Sequence, residues 1–478
     1  MKQYQLYIDG QFVNSQGNRF ISVINPATEQ VISQIPDGTS DDVDIAVAAA
    51  HVAQKSWKKL SSTERAKYLM AMAAEIRANK DMLARTITEE MGKILPLAEV
   101  EVDFTADYFE YMAGWARKYE GEILPSDREK ENILMFKQPL GVIGGILPWN
   151  FPFFLIARKA GPALLTGNTI VIKPSELAPN NAFEFAKLVH KIGLPKGVIN
   201  FVSGTGPVAG HSIASHPKIS MVSLTGSYAA GVAVTNAAAA NVTKLNLELG
   251  GKAPCIVMDD ADLDMAVKSV VDSRIINTGQ VCNCAERIYV QEGIADEFIK
   301  RITDAMSKVT YGDPLAESGL QMGPLITEAA LLKVEQAVAN ATAQGAVITT
   351  GGKRADKGVG FHYEPTVLIN TNNQMDIMRD EIFGPVLPIT TFKTLDEAIE
   401  LANDCEFGLA SAIYTTNLNT MMRVANELEF GETYVNRENF EAMQGYHAGW
   451  RKSGVGGADG RHGLEEYLQT HTVYIQYQ

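Results

Sequence analysis

Residues 141–152 read GVIGGILPWNFP, and this run decides the fold. Branched and small apolar side chains follow one another from Val142 to Leu147, and Pro148 and Pro152 fix the backbone beyond them. That is the pattern of a buried strand emptying into a rigid loop. It recurs in TIVIK (169–173), VINFVS (198–203), ISMVSL (219–224) and KLNLEL (244–249). Helical spacing fills the intervals near 152–166, 181–192 and 228–241. The alternation predicts an α/β fold: a doubly wound parallel sheet that takes ligands at the carboxyl ends of its strands. A second series follows Ala253, with APCIVMD, RIYVQ, AVITTG, TVLIN, VLPITTF, SAIYTT and TYVN as strands and helices over 263–276 and 296–308. A boundary is expected near Gly250-Gly251.

Upstream, LYIDGQFV and FISVIN read as short strands. Ser40 is the expected cap of a helix whose first turn holds Asp41 and Asp42, and Ser62 or Thr63 the cap of the next. The aromatics of 97–119 have helical spacing and read as a packing surface. The tail HTVYIQYQ reads as a strand, added either to a neighbouring subunit or within the chain.

The chain has 478 residues, 46% hydrophobic and 21% charged, which excludes a fibre or a long disordered tail and suggests two or three domains. A net charge of −14 argues against a generic nucleic-acid binder. Four cysteines make no disulfide framework, so a reducing compartment, the cytoplasm, is expected. The start has no apolar leader core. The charge-free run 138–157 is broken by Pro139, Gly141, Gly144, Gly145, Pro148, Asn150 and Pro152, so it does not read as a membrane span.

Several residues could carry chemistry. Cys282, in NTGQVCNCAER, lies between a helix and a strand, where backbone N–H groups favour a nucleophilic thiol; a small buried residue is the plainer reading. Cys284 makes a Cys-x-Cys pair, too few ligands for zinc, so no metal is expected. Alternation along an extended segment would put both thiols on one side. Glu248 ends a buried strand, where burial should raise its pKa and suit it as a general base, unless it is a paired structural carboxylate. Asn150 is held in a rigid loop and could donate to an oxyanion or close a turn. Lys173 and Glu176 follow the TIVIK strand and could meet a ribose or phosphate, or be solvated charges. Gly226, Ser227 and Gly231 form a strand-to-helix loop of the anion-binding kind. Glu381 and Phe383 precede an apolar strand.

Taken together, PWNFP, KPSE, TGS-x4-G, LELGGK, GQ-x-C and EIFGP resemble, in order and spacing, the NAD(P)-dependent aldehyde dehydrogenase superfamily. The resemblance covers essentially the whole chain. A narrower likeness, to the branch acting on lactaldehyde and glycolaldehyde, is carried by AEVEVDFTADYFEYMAGWARKYEGE, ILPWNFPFFLIARK and NRENFEAMQGYHAGWRKSG. The resemblance implies a Rossmann-like NAD-binding domain (1–120 and 140–252), an α/β catalytic domain (253–457) and a small β oligomerisation arm (121–139 and 458–478). It implies Cys282 as nucleophile, Glu248 as base, and Asn150 with the Cys282 N–H as oxyanion hole. Leu147, Trp149, Lys173, Ser175, Glu176, Gly226, Ser227, Gly231, Leu249, Lys333, Glu381 and Phe383 would surround the cofactor. Glu176 favours NAD over NADP. Arg158, Asn283, Glu441 and His447 would line the mouth for a small α-hydroxyaldehyde, in a homo-oligomer, a tetramer before a dimer. Glutamate at 248 favours a free carboxylate product over acyl transfer to coenzyme A. A semialdehyde or amino-aldehyde dehydrogenase, a thiol esterase and a non-catalytic relative are the alternatives.

Overall fold

Five of the apolar runs lie side by side and parallel in a computed structural model describing residues 1–478: Lys244–Glu248, Ile219–Thr225, Val142–Ile146, Thr169–Lys173 and Ile199–Phe201. Every residue of Val142–Ile146 and Thr169–Lys173 is buried, as expected of a parallel sheet covered on both faces. The winding direction reverses between Val142–Ile146 and Ile219–Thr225, which are neighbours in space. A doubly wound sheet opens its ligand crevice beyond the carboxyl ends at such a reversal. The PWNFP and TGS loops leave the sheet there.

The sheet has antiparallel edges. Leu6–Ile8 pairs with Ile199–Phe201 and carries Gln11–Val13 outside it. At the other edge Gly454–Val455 pairs with Leu247 and Glu248. This corrects the expected span of 253–457 for the second unit: its last strand belongs to the first sheet. Gly454 makes the pairing feasible, because a Cβ there would lie 2.2 Å from the Leu247 carbonyl oxygen.

The second series forms a seven-stranded sheet ordered Val347–Thr350, Thr366–Ile369, Val386–Phe392, Arg287–Gln291, Pro254–Val257, Ala410–Tyr414 and Glu432–Val435. All its pairings are parallel except that of Val347–Thr350. The tail strand Leu468–Gln476 pairs within the chain, antiparallel to Glu131–Pro139, whose other edge takes Glu122–Pro125. No helix is long and apolar enough to cross a membrane.

Two helix starts differ from expectation by a residue. Thr39, not Ser40, caps Ser40–Trp57, because its hydroxyl and the Asp42 carboxylate satisfy each other's backbone N–H groups. Ser61 caps Ser62–Ala78. The aromatic-rich helix runs over Leu95–Ala113 and ends in a tighter turn at Gly114–Arg117.

The helix Phe154–Leu165 is buried along all 12 residues, Arg158 and Lys159 included. Trp57 fastens Ser40–Trp57 to it: the indole is 1% exposed, and its Nε1–H donates to the Leu164 carbonyl at 3.0 Å. Trp57→Ala should lower the unfolding free energy by about 3–5 kcal/mol through the cavity it leaves. Trp57→Phe should cost less, about 0.5–1.5 kcal/mol, because the Leu164 carbonyl loses the indole donor but keeps the Gly167 N–H at 3.2 Å. Urea denaturation followed by circular dichroism measures both.

Candidate active site

Cys282 is presented by a strained corner. After the helix Leu263–Ile275, Asn277, Thr278 and Gly279 all take positive φ, at 48°, 60° and 73°. For a β-branched threonine this is a costly conformation, so the surroundings must enforce it. Thr278 Oγ1 donates to the Gly323 carbonyl (3.0 Å), and the Gln280 side chain bridges the Asn277 carbonyl (3.0 Å) and the Ile326 N–H (2.9 Å). Gly279 must be glycine for a second reason: a Cβ would lie 2.4 Å from the Gly384 carbonyl oxygen. Beyond the corner the backbone turns rather than extends. Cys282 therefore lines a cavity while Cys284 is buried away from it, against the expectation that both share a side. Cys284 lies 3.3 Å from Arg274 Nη1, yet burial pushes its thiol up to about 12.

The corner also holds Asn150. Asn150 Nδ2 donates to the Gln280 carbonyl at 3.1 Å, and Asn277 Nδ2 donates to the Asn150 carbonyl at 3.0 Å. One N–H of the Asn150 amide is thus fixed, which fixes the direction of the other.

Glu248 is 4% exposed, and its electrostatics differ from the sequence expectation. Burial does push its pKa up, but Lys159, Arg158, His447 and the Thr225 hydroxyl outweigh burial and hold the carboxyl below its ordinary value. Thr225 Oγ1 donates to Glu248 Oε2 at 2.8 Å, and Lys159 Nζ donates to Thr225 Oγ1 at 2.9 Å. Glu248 is therefore a standing carboxylate.

The four residues expected at a substrate mouth are brought together. Arg158 donates from Nε to Asp459 (3.0 Å) and from Nη2 to Glu441 (2.9 Å), and its Nη1 stands 3.9 Å from Glu248. Asn283 Nδ2 donates to the other Glu441 oxygen at 2.8 Å. Burial raises the Glu441 pKa, but Arg158, His447 and Asn283 bring it down to about 2. His447 Nδ1 lies 3.1 Å from Glu432 Oε1.

One cavity of about 600 Å³ joins these groups to the residues expected around a cofactor. Leu147, Trp149, Ser175, Glu176, Gly226, Ser227, Leu249, Lys333, Glu381 and Phe383 line it, with Asn150, Glu248 and Cys282. Lys173 and Gly231 stand behind the wall. Lys173 pairs with Glu176 at 2.9 Å, and a Cβ on Gly231 would meet Leu249 at 2.6 Å. The lining fits a nicotinamide dinucleotide. Glu176 and Glu381 offer carboxylates of the kind that accept from ribose hydroxyls, and Gly226-Ser227 opens the helix Tyr228–Ala238, whose N-terminus suits an anion. Glu381 is half-buried, and one of its oxygens takes only the Gly251 N–H, at 3.0 Å. Burial, then the neighbouring Glu286, pushes it up to about 7.

The Aldehyde dehydrogenase family model matches residues 12–473. The chain belongs to the aldehyde dehydrogenase family. It is 60% identical over 474 residues to lactaldehyde dehydrogenase of Escherichia coli (strain K12), covering 99% of each chain. The crystal structure of lactaldehyde dehydrogenase from Escherichia coli superposes with a TM-score of 0.98, at 60% identity over 99% of both chains. 3,6-Anhydro-alpha-L-galactose dehydrogenase of Vibrio sp. (strain EJY3) is 43% identical over 480 residues, covering 100% of each.

This aldehyde dehydrogenase thus has a thiol, an amide donor and a standing carboxylate around one cavity. Sequence reasoning missed four residues that hold them: Lys159, Asp459, Glu432 and Glu101. Lys159 alone carried a signal, as a second charge beside Arg158 inside the otherwise uncharged stretch FFLIARKAGPALL. The others look like ordinary surface acids until the chain is folded. Glu101 accepts the Phe153 and Phe154 N–H groups (2.9 and 3.1 Å) at the start of the Arg158 helix and pairs with Lys93, both side chains 0% exposed. Glu101→Ala strands the Lys93 ammonium and should cost about 3–5 kcal/mol. A Lys93→Met, Glu101→Leu double variant should recover much of that loss in the same urea titration.

Proposed function

We propose that this aldehyde dehydrogenase oxidises small α-hydroxyaldehydes, lactaldehyde and glycolaldehyde among them, to free carboxylates with NAD. The polar mouth of Arg158, Asn283, Glu441 and His447 beside Cys282 is the observation that carries this reading. A site built to exchange hydrogen bonds with a substrate hydroxyl rejects analogues lacking it. The relative named for lactaldehyde supports the same choice. Anionic semialdehydes fit less well. Arg158, Lys159 and His447 face Glu248, Glu432, Glu441 and Asp459, which leaves no surplus positive charge for a second carboxylate.

The Cys282 thiolate attacks the aldehyde carbon, a C–S bond forms, and the carbonyl π pair moves to oxygen. The free Asn150 N–H and the Cys282 backbone N–H receive that oxyanion. A nicotinamide held among Glu176, Glu381 and the Gly226-Ser227 helix start would supply the hydride acceptor for that carbon, and Cys282 then carries the acyl group as a thioester. Glu248 then takes a proton from water as its oxygen bonds to the thioester carbon. A carboxylate held ionised serves here because that proton becomes acidic as the bond forms. The C–S bond breaks, the acid leaves and the thiolate returns.

NAD is favoured over NADP because Glu176 would repel a ribose 2′-phosphate, and the charge of Lys173 is already paired. Residues 1–120 and 140–252, with Gly454–Val455, would hold the cofactor, and 253–453 the nucleophile. Residues 121–139 and 458–478 would assemble a homotetramer through exposed Ile123, Tyr474 and Ile475. Unpaired thiols at all four cysteines support a reducing, cytoplasmic setting.

NADH formation by the purified protein, compared across lactaldehyde, glycolaldehyde, succinate semialdehyde and propionaldehyde, tests the substrate. The hydroxyaldehydes should give the highest kcat/KM, and Cys282→Ala should abolish turnover of all four. A preference for succinate semialdehyde would overturn the reading while sparing the family chemistry. A second test uses pH. Glu381 titrates at about 7, and its ionised form is the better acceptor for ribose hydroxyls. NAD affinity should therefore fall as pH drops from 8 to 6, by up to about tenfold, as the ionised fraction falls from about nine-tenths to about one-tenth. Glu381→Gln should bind weakly with a flat profile, read by quenching of tryptophan fluorescence.

A further inference from the structure

We propose that Asn439 is a positioning residue: its amide ties the turn that carries Cys282 to the loop that carries Glu441, and so sets the spacing between the nucleophile and the mouth that holds the α-hydroxyl. The proposal rests on Cys282 being the nucleophile and on the substrate being an α-hydroxyaldehyde. The turn needs such a tie. Between the positive-φ corner and the strand Arg287–Gln291, residues 281–285 make no backbone-to-backbone hydrogen bond. Side chains alone hold them. Inside the turn, Cys284 Sγ donates to the Val281 carbonyl at 3.0 Å. From the preceding helix, Ser273 Oγ accepts the Ala285 N–H at 3.0 Å, and Arg274 Nη1 donates to the Ala285 carbonyl at 2.9 Å. Those two contacts fix only the far end of the turn.

Next to Cys282 the tie is Asn439. Its Nδ2 donates to the Asn283 carbonyl at 2.9 Å, and its Oδ1 takes the Ser273 hydroxyl at 3.4 Å, so both ends of the amide are assigned. Asn439 is buried and lines the cavity beside Cys282, Asn283 and Glu441. No other side chain beyond the turn and its preceding helix reaches the turn's backbone. The loop that presents Asn439 is itself rigid. Tyr414 Oη donates to the Arg437 carbonyl at 2.9 Å, and Arg437 Nη2 donates to the Phe440 carbonyl at 2.7 Å, which brackets Asn439 on both sides. The Phe440 ring packs on Phe104, with centroids 5.6 Å apart. Two residues beyond Asn439, Glu441 Oε2 accepts from the Asn283 side chain at 2.8 Å. One loop thus grips Asn283 twice, by its backbone through Asn439 and by its side chain through Glu441.

A hydroxyaldehyde is held at two neighbouring carbons. C1 must meet the Cys282 sulfur while the hydroxyl on C2 meets the polar mouth. The sulfur belongs to the turn and Glu441 to the loop, so their separation is set where turn and loop join, at Asn283. Attack needs the sulfur and the carbonyl carbon in near-attack geometry, and an ångström of misplacement costs about a hundredfold in rate. An aldehyde without the hydroxyl is not held at C2 and can follow a displaced sulfur. Asn439 therefore acts through Asn283, and its effect falls on the hydroxyaldehydes.

The test compares full-length wild type, Asn439→Ala and Asn439→Asp by NADH formation from lactaldehyde and from propionaldehyde. Aspartate keeps the shape of the side chain but turns an acceptor towards the Asn283 carbonyl. Both variants should bind NAD as wild type does, read by tryptophan fluorescence, which shows that the cavity is folded. For lactaldehyde kcat/KM should fall by about tenfold or more, and for propionaldehyde by no more than about threefold, so that the preference for the hydroxyaldehyde narrows. Wild-type kcat/KM on lactaldehyde in both variants would overturn the proposal. Equal losses on the two aldehydes, or loss of NAD binding in both variants, would overturn it too, since Asn439 would then only stabilise the fold. A wild type with no preference for lactaldehyde would bring down the substrate reading and the proposal with it. Retained turnover in Cys282→Ala would do the same to the nucleophile assignment. Both of these failures show without any Asn439 variant.

Discussion

Arg158 and Lys159 carry two adjacent positive charges into a helix with no exposed residue. Isolated charges are too costly to bury, so the fold must bring partners to them. It gathers them from distant parts of the chain: Glu248 and Thr225 from the first sheet, Glu441 from a loop beyond the second, and Asp459 from just before the tail. The demand of two buried cations thus draws the pieces of the active site towards one helix. The acid that results is ionised because it serves as a counter-charge, which is why Glu248 ends with a lowered pKa although burial alone would raise it.

A second buried cluster does the same for the other side of the cavity. Glu286 pairs with Lys252 and Arg274, and its oxygens accept the Ile382 and Phe383 N–H groups at 3.0 and 3.1 Å. Arg274 also donates to the Gly384 carbonyl, so the EIFGP turn and the Cys282 corner share one anchor. Phe383 keeps a φ of 57° there. Rigid charge clusters at both ends of a cavity hold reacting groups in place before substrate arrives, which is how an active site avoids reorganisation during chemistry.

The strands were the most legible part of the sequence. Short branched runs between glycines and prolines can only be buried strands, and the Val142–Ile146 and Thr169–Lys173 runs lie as read. The chemistry-bearing motifs were legible because rigid loops need unusual residues, as PWNFP does. Partners were not legible. Asp459 and Glu432 are single acids whose worth depends on what folding places opposite them. Gly250 and Gly251 read as a boundary between two units. They are also the floor of the site, where a Cβ would meet the Glu381 carboxylate or the Cys282 carbonyl, both at 2.6 Å. The exchange of Gly454–Val455 into the first sheet escaped notice because a two-residue strand carries no periodicity.

The tail strand has a consequence for the timing of synthesis. Leu468–Gln476 is the partner of Glu131–Pro139, so that edge waits for the last strand of the chain to be made. The Asp459 partner of Arg158 comes almost as late, 301 positions downstream. At about 5–20 residues per second, a delay of roughly 15 s to a minute separates each group from its mate on the ribosome. A nascent chain can therefore close its first sheet core early, while its charge cluster and its arm stay open until translation ends. A chain that stalls before Asp459 would leave Arg158 without one of its three carboxylate partners and would carry an unpaired nine-residue edge. An unpaired strand edge of that length is a template for aggregation.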